Sequence, residues 1–129
     1  MPKQEEVKYT KTHEWIFVQG QEAAVGLSDH AQHEMGDIVF VELPKPAQNI
    51  EKEKPCAVVE SVKSAFDIYA PVSGQISALN EEITKDPALI NQSPMDKAWL
   101  FKIKLSNAAQ LSDLMDWTAY QDFIKQATH

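Results

Sequence analysis

Through the first hundred residues, apolar positions come in short runs broken by turn residues, with no alternating rhythm of strands and long helices. Trp15 to Val18 and Ala23 to Gly26 read as a hairpin around Gln19-Gly20-Gln21. Ser28 or Asp29 caps a short helix that runs through Met35, and Gly36 stands just past its end as the stop residue. Asp37 to Leu43 alternates, with Ile38, Phe40 and Glu42 on one face and Val39, Val41 and Leu43 on the other. Two apolar-rich faces predict a strand inside a sandwich rather than at its rim. Pro44-Lys45-Pro46 ends that strand, because proline cannot donate to a ladder. Gln75 to Leu79 follows a bend at Gly74. Ala98 to Leu105 sets Trp99, Phe101, Ile103 and Leu105 against Lys102 and Lys104, the pattern of a half-buried strand. The period then changes, and Asp116 caps a helix whose Trp117, Tyr120 and Ile124 form one apolar stripe. The expected fold is mainly β: a β-sandwich or flattened barrel with a short internal helix and a C-terminal helix, forming a single domain over residues 1–129.

One strand pair stands apart. Ala57 to Val62 and Ala65 to Ala70 are apolar-rich and closely connected, and the second closes on Pro71 and Ser73-Gly74. They read as a β-hairpin with Lys63 at or beside its tip. The connection lacks the Asn-Gly or Asp-Gly pair that marks the tightest hairpins. A lysine in that place is either a solvated surface residue or an attachment point whose four flexible carbons carry an amine into solvent.

Composition narrows the function. A chain of 129 residues can bury about two-thirds of the surface its unfolded form exposes. The net charge is −7, with twelve lysines and no arginine. Bidentate reading of phosphates and guanine edges leans on arginine, so nucleic acid is disfavoured as a partner. One cysteine, Cys56, makes no internal disulfide and suits a reducing compartment. No apolar run approaches the roughly 18 residues of a membrane span. The opening MPKQEEVKY has neither a secretory apolar stretch nor the arginine-rich character of a transit peptide. A bacterial-type cytoplasm is the expected location, although a trimmed mitochondrial protein would look the same.

The run ESVKSAFDIYAPVSGQI, Glu60 to Ile76, resembles the lipoyl-attachment hairpin of the glycine cleavage system H-protein family. The likeness continues in order through Tyr9-Thr10 with His13-Glu14-Trp15, Val25 to Gln32, Gly36 to Pro44, Asp86-Pro87 with Leu89-Ile90-Asn91, and Trp99 to Leu105. It spans about residues 7–124. The resemblance implies a lipoyl-domain-like sandwich and lipoate bound covalently to Lys63. It implies a non-catalytic, monomeric carrier. The arm would accept an aminomethyl group from a pyridoxal-phosphate glycine decarboxylase and give its carbon to tetrahydrofolate on an aminomethyltransferase. A dihydrolipoamide dehydrogenase would reoxidise the dithiol, and a lipoyl- or octanoyl-transferring enzyme would load the lysine.

Other residues follow from these. A transferring enzyme has to pick Lys63 from twelve lysines, so it must read the hairpin's shape and neighbours. Glu60 and Asp67 flank Lys63 almost symmetrically, expected at the feet of the turn; they help align the loop or form weak surface pairs. Glu14 matches the acidic position of the family's His-Glu-Trp block. It holds the ammonium of the loaded arm beside a hydrophobic groove, or is an exposed strand acid. His30 and His33 are spaced to share a helix face, but no third ligand is signalled and no metal is expected. Cys56 reads as a small apolar residue. The alternatives are a lipoyl relay that passes the cofactor to other enzymes, and another lipoyl or biotinyl domain. Val62 and Ser64 replace the methionines that usually flank a biotinylated lysine. Glycines that family members commonly carry in two turns are replaced here by Gln48-Asn49, Lys54 and Asp96-Lys97-Ala98.

Overall fold

A computed structural model of the chain describes residues 3–127. Two antiparallel sheets make the body. The larger is built from β1 (Lys8–Tyr9), β2 (Glu14–Gln19), β3 (Glu22–Leu27), β5 (Asn49–Ile50), β8 (Gly74–Leu79) and β9 (Phe101–Leu105), in the order β1-β2-β3-β9-β8-β5. The smaller is β4 (Ile38–Glu42), β6 (Pro55–Ser61) and β7 (Ala65–Tyr69), in the order β4-β6-β7. Residues 57, 59 and 61 of β6 are buried while their neighbours are half-exposed, so alternation gives the small sheet one inward face. Val59 and Ile68 meet Ile16, Val25, Phe101 and Ile103 in the main core. The mainly β sandwich expected from the periodicity is the observed architecture.

The helices occupy the gaps. In α1 (Asp29–Met35), the Ser28 hydroxyl accepts from Ala31 N–H as the N-cap, and Gly36, at φ 83°, supplies the left-handed residue that ends it. Two further turns, α2 (Glu82–Lys85) and α3 (Leu89–Gln92), have no counterpart in the sequence reading because each is too short to show a period. The last helix, α4 (Trp117–Ala127), starts where Asp116 accepts from Ala119 N–H. Its Tyr120 is fully buried and stacks on Tyr9 with ring centroids 4.2 Å apart, forming a second core with Trp15.

Tyr120 also closes a polar joint: its hydroxyl lies 2.6 Å from Ser28 Oγ and 2.8 Å from His13 Nδ1. Ser28 therefore caps one helix and anchors another. Ser28→Ala is expected to cost about 0.5–2 kcal/mol, the usual range for a lost N-cap, read as a lower denaturation midpoint at unchanged slope. A midpoint equal to that of the parent protein would refute the double role.

Two expectations change. β4 lies at the edge of its sheet, not inside the sandwich. A register shift between Ile38 and Phe40 rotates the strand, so Ile38 and Val41 point inward while Val39 and Phe40 both stand in solvent. Strict alternation cannot anticipate that extra residue. Trp99 lies outside β9; it packs with the second core rather than beside Phe101.

Candidate functional site

Lys63 sits at the tip of the β6–β7 hairpin. Glu60 pairs with Ala65, and Ser61 N–H donates to Ser64 O at 2.8 Å, leaving Val62 and Lys63 in the loop. Neither loop residue has a positive φ, so the turn is not of the Asn-Gly kind. The hydroxyl of Ser61 takes over instead, accepting from Lys63 N–H at 3.1 Å and from Ser64 N–H at 3.3 Å. Val62 N–H donates to Asp37 O at 3.0 Å, tying the tip to the base of β4. The tip is thus held at four backbone donors, the N–H groups of residues 61 to 64, while the lysine side chain is exposed.

The Lys63 stem passes over Gly36, where a β-carbon would lie 3.4 Å from its Cε, and Nζ donates to Glu34 O at 3.5 Å. That long contact leaves the amine accessible. Glu60 and Asp67 face outward with it but not symmetrically: Glu60 borders the turn, whereas Asp67 pairs with Val58 two positions further down. Neither makes a salt bridge among the described residues.

Glu14 is not an exposed strand acid. Its side chain is 1% exposed at the floor of a cleft of about 580 Å³ lined also by Thr10, Thr12, Lys52, Tyr69, Pro71 and Leu114. Thr10 and Thr12 donate their hydroxyl protons to Oε1, each at 2.5 Å, and Tyr69 N–H donates to Oε2 at 3.2 Å. Burial pushes the carboxyl above its ordinary value, and those donors oppose the shift. Sequence reasoning named Glu14 but missed Thr10 and Thr12, although their two-residue spacing was a visible signal. It also missed Tyr69, whose contact spans 55 positions. β7 links the cleft at Tyr69 to the lysine turn at Ala65, a run of about 13 Å at ~3.3 Å per residue.

The remaining residues are brought to no common centre. His30 Nε2 lies 3.9 Å from Glu34 and His33 Nε2 3.7 Å from Asp29, each facing its own helical neighbour. Among the described residues no three His, Cys, Asp or Glu side chains converge as a metal site. Cys56 is half-buried, and burial pushes its thiol up to about 12. Among the described residues no helix is long and apolar enough to cross a membrane.

Comparison with known proteins converges with this geometry. A family model described as glycine cleavage H-protein matches residues 7–127. The glycine cleavage system H protein of Thermotoga maritima is 46% identical over 119 residues, 92% of this chain and 96% of that one. That of Paramagnetospirillum magneticum is 48% identical over 118 residues, 92% of this chain and 94% of its own. A crystal structure of a glycine cleavage system H protein from Mycobacterium marinum superposes with a TM-score of 0.84, 30% identity and full coverage of both chains. The chain belongs to the glycine cleavage H-protein family.

Proposed function

We propose that this chain is the lipoyl carrier of a glycine cleavage system and that Lys63 is its attachment residue. The observation that carries the reading is the exposed lysine on a hairpin tip tied down at its backbone. The residues fit the group: Nζ is free to become an amide nitrogen, and an amide N–H can keep the contact with Glu34 O. Bound there, lipoate supplies a cyclic disulfide able to take up a one-carbon amine together with two electrons.

The rest of the work falls to the protein's own side chains. Lys63 provides the tether, and Ser61 with Asp37 fixes its base. Glu14 offers a buried carboxylate to a cationic amine, and Thr10, Thr12 and Tyr69 hold it in place. Tyr69, Ala70, Pro71 and Leu114 give the cleft apolar walls that keep water from such an amine. In this role the chain makes no bond itself. Glycine decarboxylase loads it, the aminomethyltransferase unloads it and dihydrolipoamide dehydrogenase restores the disulfide. The half-buried thiol of Cys56, pushed up to about 12, supports a carrier rather than a thiol enzyme.

The test is direct. The apo protein, incubated with a lipoate-activating ligase, lipoate and ATP, should gain the mass of one lipoyl group, and peptide mapping should place it on Lys63. No gain, or a gain on another lysine, would overturn the assignment.

A further inference from the structure

Large hydrophobic side chains that stand mostly in solvent are few among the described residues, and they gather in one place. Val39 is 55% exposed, Phe40 49% and Val62 68%. Phe40 is the register partner of Glu60, one residue before the turn. Val39 stands in the bulge beside it, and Val62 is joined through its N–H to Asp37, at the start of the same strand. The patch therefore borders Lys63 directly. Its rim is acidic: Asp37, Glu42, Glu60 and Asp67 carry four carboxylates and no arginine or lysine intervenes between the paired positions of β4, β6 and β7.

We propose that Val39, Phe40 and Val62 form the docking surface for the enzyme that acylates Lys63, which presents an apolar seat with a basic border. This rests on Lys63 being the attachment residue. The geometry selects that partner from the others. To acylate Nζ, an enzyme must bring an activated acyl group, a mixed anhydride or thioester, to the end of the lysine side chain. The acyl C–O or C–S bond breaks as the N–C amide bond forms; the leaving group departs with the bonding pair, and Nζ sheds its protons to solvent. An active site closing around Nζ over so tight a turn must cover Val62 and the β4 side. Enzymes acting later work at the far end of the arm and have no such need.

The patch also explains selection. Eleven other lysines offer the same amine chemistry, and those within the described residues lack this apolar border. Aromatic anchors inside a polar rim are the usual source of discrimination at an interface. The acids of the rim steer a basic partner and make association depend on salt.

The experiment measures acylation of the full-length apo protein by a lipoate-activating ligase, with octanoate and ATP, across protein concentration. Phe40→Ser is expected to raise KM for the acceptor protein at least tenfold with kcat within about twofold, and Val62→Ser to do the same. Val62 is the more exposed, so it keeps the test informative if Phe40→Ser fails to fold. Melting curves establish that each variant is folded. Wild-type protein acylated at Lys63 with both variants unchanged in KM would overturn the docking surface and leave the attachment residue standing. No acylation of the wild type at Lys63 would overturn both. Self-association of the wild type that Phe40→Ser abolishes would assign the patch to a second copy of the chain instead.

Discussion

Lys63→Arg is expected to abolish lipoyl attachment completely while the fold is unchanged. A guanidinium keeps its proton in proteins and does not become the amide that the reading requires. The cost to stability should stay within about 0.5 kcal/mol, as for other surface substitutions. Arginine keeps the long stem that passes over Gly36, and the bonds that hold the turn come from backbone and from Ser61. Intact mass after incubation with ligase, lipoate and ATP should show no addition, with a melting curve that overlays the parent. Lipoate persisting in this variant would remove Lys63 from its proposed role.

Glu14→Gln is expected to leave lipoyl attachment and dithiol reoxidation intact while the loaded carrier loses its one-carbon amine to water faster. A hydrogen bond to a charged group contributes about 1.5–3 kcal/mol, or roughly one to two decades in lifetime at 1.4 kcal/mol per decade. Ammonia and formaldehyde release, measured with the other enzymes removed, reports it. Equal rates would confine Glu14 to a structural role.

A pH experiment separates that structural role. The folded carboxyl is raised above its unfolded value by burial. The native state therefore binds more protons through that window, and Glu14 makes the protein less stable as pH rises from the ordinary carboxylate range through the folded value. The loss persists above it. Glutamine does not titrate. Replacing Oε2 by an amide NH2 opposite Tyr69 N–H imposes a penalty independent of pH. The melting temperature of the variant minus that of the parent should thus increase across the window. A flat difference would mean that Glu14 keeps its ordinary acidity in the folded protein.

The parts of this molecule that were legible in sequence are those decided within a few residues. Ser28, Met35 and Gly36 bound a helix through local capping, and the two apolar runs around Lys63 are neighbours in the chain that pair across a short turn. The ordered likeness to a family then singled out one lysine of twelve. What could not be read depends on partners far along the chain. The bulge at Val39 trades one apolar face for another, so either register satisfies the pattern. The two-residue strands β1 and β5 are too short for any period, and they exist because β2 and β8 offer them edges. Glu14 looks like a surface acid until Tyr69 and the Thr10 and Thr12 hydroxyls close over it.

The state of Cys56 has a consequence for self-compatibility. Thiol–disulfide exchange requires a thiolate as attacker. Burial pushes the Cys56 thiol up to about 12, so it offers very little thiolate at neutral pH. A protein carrying a strained cyclic disulfide on a mobile tether exposes its own chain to that electrophile at high local concentration. An ordinary surface cysteine would open that ring to a mixed disulfide, freeing the arm's second sulfur as a thiolate, and until the ring reclosed the arm would be out of use. Half-buried in the groove beside Pro55 and Val58, Cys56 is kinetically mute towards the cargo the chain is proposed to bear.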